Sequence, residues 1–176
     1  MSERPPPTRR GGVLLRYGDA SGRDRLGFVP SEVADRVTPL SARSEVPGLC
    51  APAVGVALAE GEVVTVLELG SPVDAPPASY RPGAEWSMPG ADRALTCTIG
   101  GQRVAVTGAV IVATGVFDGA PGRDGVVWRG AVVDVLDVRA LYRRAEAAIW
   151  ESRARAGRPR VERDGSAPAG RGRAPA

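Results

Sequence analysis

The chain has 176 residues, 43% of them hydrophobic, which is enough for one domain or for two small fused domains with a real core. All 23 basic residues are arginine and there is no histidine, which excludes a histidine general base or metal ligand, a lysine Schiff base and a Walker-type lysine. The arginines concentrate at the two ends, because residues 11–150 carry thirteen arginines against sixteen acidic residues.

The N-terminal segment shows no sign of directing the chain to a membrane. Residues 1–11 are rich in proline, arginine and glycine, so we predict a disordered N-terminus there. The segment lacks the apolar core of a signal peptide, and no apolar run approaches the ~18 residues of a spanning helix. We therefore expect a cytoplasmic protein without membrane insertion.

Residues 12–50 are predicted to begin with a hairpin. Two short apolar runs, residues 13–17 and 26–29, are strand candidates, and the glycine, aspartate and serine between them are typical of a turn. After Pro30, Ser31 is predicted to cap one helical turn. The prolines that follow indicate an irregular crossing segment.

A second hairpin is predicted in the middle of the chain. Residues 54–59 and 62–69 are rich in valine, alanine and leucine, and Glu60-Gly61 between them suits a two-residue turn. Residues 70–93 then contain five prolines. A loop of this length is uncommon inside a compact domain, so it is either a boundary between units or a functional excursion.

Further strands are predicted in the second half. Residues 94–99, 103–106 and 110–112 are strand candidates, with a glycine pair as the turn between the first two. The last hairpin is predicted over residues 126–138, turning at Arg129-Gly130. The valine-rich composition fits this strand-dominated prediction, since β-branched side chains pack well on a pleated surface.

The C-terminal part is predicted to be a helix followed by a tail. Asp137 is the expected cap of a helix over about residues 139–156, which Gly157 and Pro159 should end. Residues 151–176 are rich in arginine, proline, glycine and alanine, which is typical of a basic, low-complexity tail. The helix should bury one apolar face, formed by Leu141, Tyr142, Ala145 and Ile149.

The chain contains an internal repeat. Residues 61–69 and 130–138 both fit the pattern Gly-x-Val-Val-x-Val-Leu-acid-aliphatic. Each half then reads as a hairpin, a crossing segment and a second hairpin, which predicts two copies of a small closed sheet. Closure removes exposed strand edges, and two packed barrels bury more surface than either one alone.

The residues favour a binding surface over an active site. Cys50 and Cys97 have neither the spacing of a metal site nor that of a disulfide framework. Asp134 and Asp137, the nearest pair of carboxylates, would point to opposite faces of a strand. We therefore expect no enzyme activity, no cofactor, no metal site and no small-molecule substrate.

Four stretches resemble the CheW-like coupling proteins of bacterial chemosensory systems. Residues 55–69 are similar to the central signature of these domains, and residues 26–33 to the second strand and its following turn. Residues 99–106 and 130–141 are similar to later strands and the closing helix. The resemblance covers about residues 12–150 and leaves the two ends outside it.

The resemblance implies an all-β fold of two intertwined, five-stranded, SH3-like barrels with a C-terminal helix. It also implies a scaffold that joins a chemoreceptor's cytoplasmic tip to a CheA-type histidine kinase, at membrane-associated arrays. Val33 and Asp35 would lie on the partner-facing rim, and Gly55 and Val56 beside the groove between the barrels. Glu60 would also lie at the partner contact.

The chain departs from this family at positions that bear on its partner. Glu60 stands where the family has arginine, Thr65 where it has proline and Glu68 where it has aspartate. A reversed charge at a contact favours a different partner. Two alternatives therefore stay open: a divergent module that binds a non-standard signalling or motility partner, and a barrel whose basic tail binds nucleic acid, although the acidic body speaks against the latter.

Overall fold

The computed structural model describes residues 8–40, 43–44, 46, 49–70 and 93–156. Most of the predicted disordered N-terminus, nearly all of the predicted long loop, and the predicted helix stop at Gly157 and Pro159 lie outside these residues, as does most of the basic tail. Eleven strands and one helix form the described part of the chain: β1 (Arg9–Gly18), β2 (Asp24–Pro30), β3 (Ala34–Pro39), β4 (Arg43–Ser44), β5 (Ala53–Ala59), β6 (Glu62–Glu68), β7 (Arg93–Ile99), β8 (Gln102–Thr107), β9 (Ala109–Gly119), β10 (Gly125–Trp128), β11 (Ala131–Asp134) and α1 (Val138–Ala156).

The first sheet is a five-stranded barrel with the strand order β11-β10-β9-β1-β2. Its ends meet, because Phe28 on β2 forms a parallel bridge with Val135, and the Leu136 N–H donates to the Phe28 carbonyl at 2.8 Å. Closure leaves the inner face of the sheet shielded from water. That interior holds Leu14, Phe28, Phe117, Val126 and Val133.

The second sheet has the strand order β3-β7-β8-β6-β5-β4, in which β4 is only two residues long. All its neighbours are antiparallel except β6 and β8, which run parallel from the Thr65–Val104 pair onward. Small and medium side chains fill its inner face, which explains the valine- and alanine-rich composition of these strands. They are Val54, Ala57, Ala59, Val64, Val66, Ala94 and Ala105.

Each sheet takes strands from both halves of the chain. β1 and β2 pair with β9 to β11 in the first sheet, whereas β3 to β6 pair with β7 and β8 in the second. The prediction of one closed sheet per half is therefore wrong, because the long pairing of β1 with β9 joins segments about 100 residues apart. The intertwined arrangement implied by the resemblance, all-β with a C-terminal helix, is confirmed.

A third group of buried side chains joins the two sheets and the helix. Leu15 and Val29 contribute from the first sheet, Leu67 and Leu95 from the second, and Leu141 from α1. The Ala140 N–H donates to Asp137 Oδ1 at 2.8 Å, so Asp137 caps the helix as predicted. The helix therefore belongs to the shared core of the two sheets. Among the described residues, no helix has the length and apolar content that crossing a membrane requires.

The repeated hairpins turn in the same way. Glu60 and Gly61 have φ angles of 53° and 83°, and Arg129 and Gly130 have φ angles of 51° and 80°. Two consecutive positive φ angles define the type I′ turn, whose twist matches that of the flanking strands. The turns predicted at both positions are confirmed.

The predicted helical turn after Ser31 is wrong. The Val33 N–H donates to the Pro30 carbonyl at 3.0 Å in a tight turn, and the chain then enters β3. β3 pairs with β7, which follows it by about 60 residues. The hydrogen bonds of this distant pairing outweigh the local preference that a single serine cap supplies.

Candidate functional site

A group of charged and polar side chains lies where the β5–β6 turn meets the starts of β3 and β8. We call it the Arg103 cluster. Strand pairing brings its members together, because β8 is the neighbour of both β6 and β7, and β3 pairs with β7. The members are Asp35, Arg36, Glu60, Glu62, Thr98 and Arg103.

Arg103 is the centre of the cluster. Its Nη2 donates to Glu60 Oε2 at 3.0 Å, its Nη1 donates to Glu62 Oε2 at 3.2 Å, and its Nε lies 3.8 Å from Asp35 Oδ2. Hydrogen bonds, first in size the one to Glu60 and next the one to Glu62, raise the pKa of Arg103 above its ordinary value. One guanidinium thus connects three strands through three carboxylates.

The negative charge of Glu60 is balanced within the chain. Glu60 Oε1 pairs with Arg36 Nη1 on β3, and Glu60 Oε2 pairs with Arg103 Nη2. Asp35 is similarly held, because Thr98 Oγ1 donates to its Oδ2 at 2.7 Å. The surface therefore presents paired charges of both signs instead of one exposed carboxylate.

Exposed apolar side chains adjoin the cluster on the β5–β6 hairpin. Leu58 and Val63 are opposite each other in the ladder and are 61% and 74% exposed. Two residues further from the turn, Val56 is opposite Thr65, and both are half-buried. Because side chains alternate across a strand, these four residues share one face, which we call the apolar strip.

The predicted site residues occupy one region of the second sheet. Asp35 and Glu60 are brought together through Arg103. The Val33 carbonyl accepts from the Thr98 N–H at 2.9 Å, and its side chain packs against the shared core. Val56 belongs to the apolar strip, and Gly55 is buried at a bulge in β5. Their predicted roles in partner binding stay predictions.

Four residues of this surface were not predicted from the sequence: Arg36, Leu58, Val63 and Arg103. Leu58 and Val63 follow from the turn itself, because a two-residue turn at Glu60-Gly61 places them opposite each other. No local signal marks Arg36 and Arg103, since each is one arginine among 23 in the chain. Only the pairing of distant strands shows that both bind Glu60.

The candidate reactive groups among the described residues are the cysteine thiols and the carboxylates. Burial raises the pKa of the Cys97 thiol to about 12, so this thiol stays protonated and unreactive at neutral pH. No group of three or more cysteine, aspartate or glutamate side chains in the described ranges is arranged to hold a metal ion. A surface of paired charges beside exposed aliphatic groups suits protein recognition.

A separate cleft of about 950 Å³ lies between the start of β1 and the β9–β10 turn. Arg9, Arg10 and Arg123 line it, but so do Glu32 and Asp118. Because both signs of charge line this open cleft, it favours neither an anion nor a cation, and we assign no ligand to it.

Comparison with known proteins gives a structural likeness but no match in sequence. No family model matches the chain, and neither does any curated protein sequence. Among solved structures, the crystal structure of the scaffolding protein TtCheW from Thermoanaerobacter tengcongensis is similar, with a TM-score of 0.48 and 10% sequence identity. The match covers 71% of this chain and 88% of that chain.

Proposed function

We propose that this chain is a non-enzymatic scaffold that joins a chemoreceptor's cytoplasmic tip to a CheA-type histidine kinase. The observation that carries the proposal is the β5–β6 hairpin. The stretch that most resembles the CheW-like signature, residues 55–69, forms this hairpin and exposes Leu58 and Val63 beside the Arg103 cluster. Exposed aliphatic anchors surrounded by charged groups are typical of a small protein–protein contact.

The paired charges bear on which partner the surface accepts. Charge complementarity contributes to specificity and to the rate of association more than to the affinity itself. Glu60 carries the opposite charge to the arginine of the family, and Arg36 lies beside it. A partner that binds this surface would therefore present a positive charge to Glu60, where a standard partner presents a negative charge to the family's arginine. This supports a divergent receptor or kinase as the partner.

The test is a binding measurement with the regulatory domain of a CheA-type kinase and with a receptor tip from the same organism. We expect Val63→Lys and Leu58→Lys each to raise Kd at least about tenfold, since buried interface anchors contribute most of the binding energy. Val132→Lys is the matched control, because Val132 is an exposed valine, 46% accessible, on β11 of the other sheet. Wild-type protein that is folded and binds neither partner would contradict the proposal.

The charges are tested by a swap. Glu60→Arg alone places three guanidinium groups together, whereas Glu60→Arg combined with Arg36→Glu keeps one pair and reverses its direction. We expect the double variant to stay folded but to be less stable than the wild type, because Arg103 loses its carboxylate at position 60, and to bind standard CheA-type partners more tightly. Unchanged affinity in the folded double variant would place Glu60 outside the interface.

A further inference from the structure

Among the residues that the structure describes, β9 is paired along one edge and almost unpaired along the other. β1 follows it from Ala109 to Asp118. On the opposite edge, β10 pairs only at Asp118 and Gly119 and then diverges. Within the described ranges, no strand or loop forms backbone hydrogen bonds with this outer edge over residues 109–117.

The unpaired edge carries only one of the features that usually protect an edge, a single bulge at Val112. Free N–H and C=O groups along a strand form a template for another strand, and natural proteins block it with charged residues, proline, bulges or short strands. Residues 109–117 read Ala-Val-Ile-Val-Ala-Thr-Gly-Val-Phe, with neither charge nor proline. One bulge interrupts the ladder at Val112, which leaves Ala113 to Phe117 in regular register with β1.

The exposed side chains of this edge have a symmetric order. Val112 is 38% exposed and Val116 is 65% exposed, and Thr114 between them is exposed as well. Ile111, Ala113 and Phe117 instead pack against the cores of the molecule. The outer row of β9 therefore reads valine, threonine, valine.

We propose that the outer edge of β9 pairs in antiparallel fashion with the same edge of a second copy of this chain. With the two-fold axis at Thr114, the two threonines face each other, and Val116 of each copy lies beside the bulged Val112 of the other. Thr–Thr hydrogen bonds and pairs of β-branched side chains stabilise antiparallel strands, and no like charges meet. The row is complementary to itself, and this favours a second copy over an unrelated strand.

The expected contact is small. A single strand pair buries less surface than a standard interface, so the dimer should be weak and concentration-dependent. It would continue the first barrel's β-sheet into the second copy, on a different sheet from the Arg103 cluster and the apolar strip. The dimer and the scaffold role are therefore independent and can fail separately.

The test is sedimentation of the full chain up to about 1 mM, the range in which weak association becomes visible. We expect the wild type to shift from monomer to dimer with rising concentration. Val116→Lys and Thr114→Lys should each stay monomeric, because an edge lysine blocks strand pairing. Val132→Lys on β11 should dimerise like the wild type. Circular dichroism establishes that each variant is folded.

Amide hydrogen exchange locates the contact. We expect backbone amides within residues 110–116 to gain protection as the concentration of the wild type rises, and not in Val116→Lys. A wild type that stays monomeric overturns the proposal, as does a dimer that both lysine variants still form. Protection of β9 only after addition of a kinase or receptor domain would mean that the edge receives a strand of another protein, which also contradicts pairing with a second copy.

Discussion

Gly12 lies on β1 where the barrel interior leaves no space for a side chain. A Cβ built there would lie 2.4 Å from the Val29 carbonyl oxygen and 2.5 Å from the Phe28 ring. Both neighbours are completely buried and cannot move into solvent. A methyl group at this position must therefore displace the β1–β2 pair or the aromatic ring in the core.

We expect Gly12→Ala to lower the free energy of unfolding by about 1–3 kcal/mol, the usual cost of overpacking a core. Gly18→Ala is the matched control, because it lies at the other end of the same strand and a Cβ there has nothing within 4 Å. Urea unfolding followed by circular dichroism measures both. Equal effects of the two substitutions would show that loss of glycine, and not crowding against Phe28, governs the change.

At the scale of elements, features that depend on neighbouring residues could be predicted from the sequence, whereas features that depend on the pairing of distant strands could not. The turns at Glu60-Gly61 and Arg129-Gly130 and the helix cap at Asp137 could be predicted, because each depends on residues adjacent in sequence. The start of β3 could not, because its hydrogen-bond partner β7 lies far along the chain. The Arg103 cluster is a similar case, since Asp35 and Arg103 are 68 residues apart and no periodicity connects them.

The cap of α1 gives the prediction at this scale. Asp137→Ala removes the acceptor of the Ala140 N–H and should lower the free energy of unfolding by about 1 kcal/mol. Asp137→Asn keeps an acceptor oxygen and should recover most of that loss. Asp134→Ala, at an exposed aspartate on β11, controls for the loss of one carboxylate. Thermal and urea unfolding measure all three, and a full-size loss in Asp137→Asn would contradict capping as the cause.

At the scale of the whole molecule, the two sheets cannot be separated by cutting the chain once. Each contains strands from before residue 71 and strands from after residue 92. The proline-rich residues 71–92 therefore do not divide two independent barrels. The repeat in the sequence predicts the matching hairpins correctly, but which strands pair depends on contacts that no single half contains.

This arrangement predicts fragment complementation. A break within residues 71–92 yields two pieces, neither of which contains a complete sheet. We expect each piece alone to be largely unfolded and the two together to form a one-to-one complex with the β-sheet spectrum of the intact chain. Size-exclusion chromatography and circular dichroism measure this. Independent folding of either piece would contradict the interlocked topology.

The pairing of β1 with β9 also has a consequence for synthesis on the ribosome. β9 begins about 90 residues after β1 ends, and chains grow at about 5–20 residues per second. The β1–β2 hairpin, which ends at Pro30 about 80 residues before β9 begins, must therefore wait roughly 4–16 s before the strand that pairs with β1 exists. During that interval Leu14 and Phe28, fully buried in the finished barrel, face solvent. The nascent chain should accordingly be a good substrate for chaperones until β9 emerges.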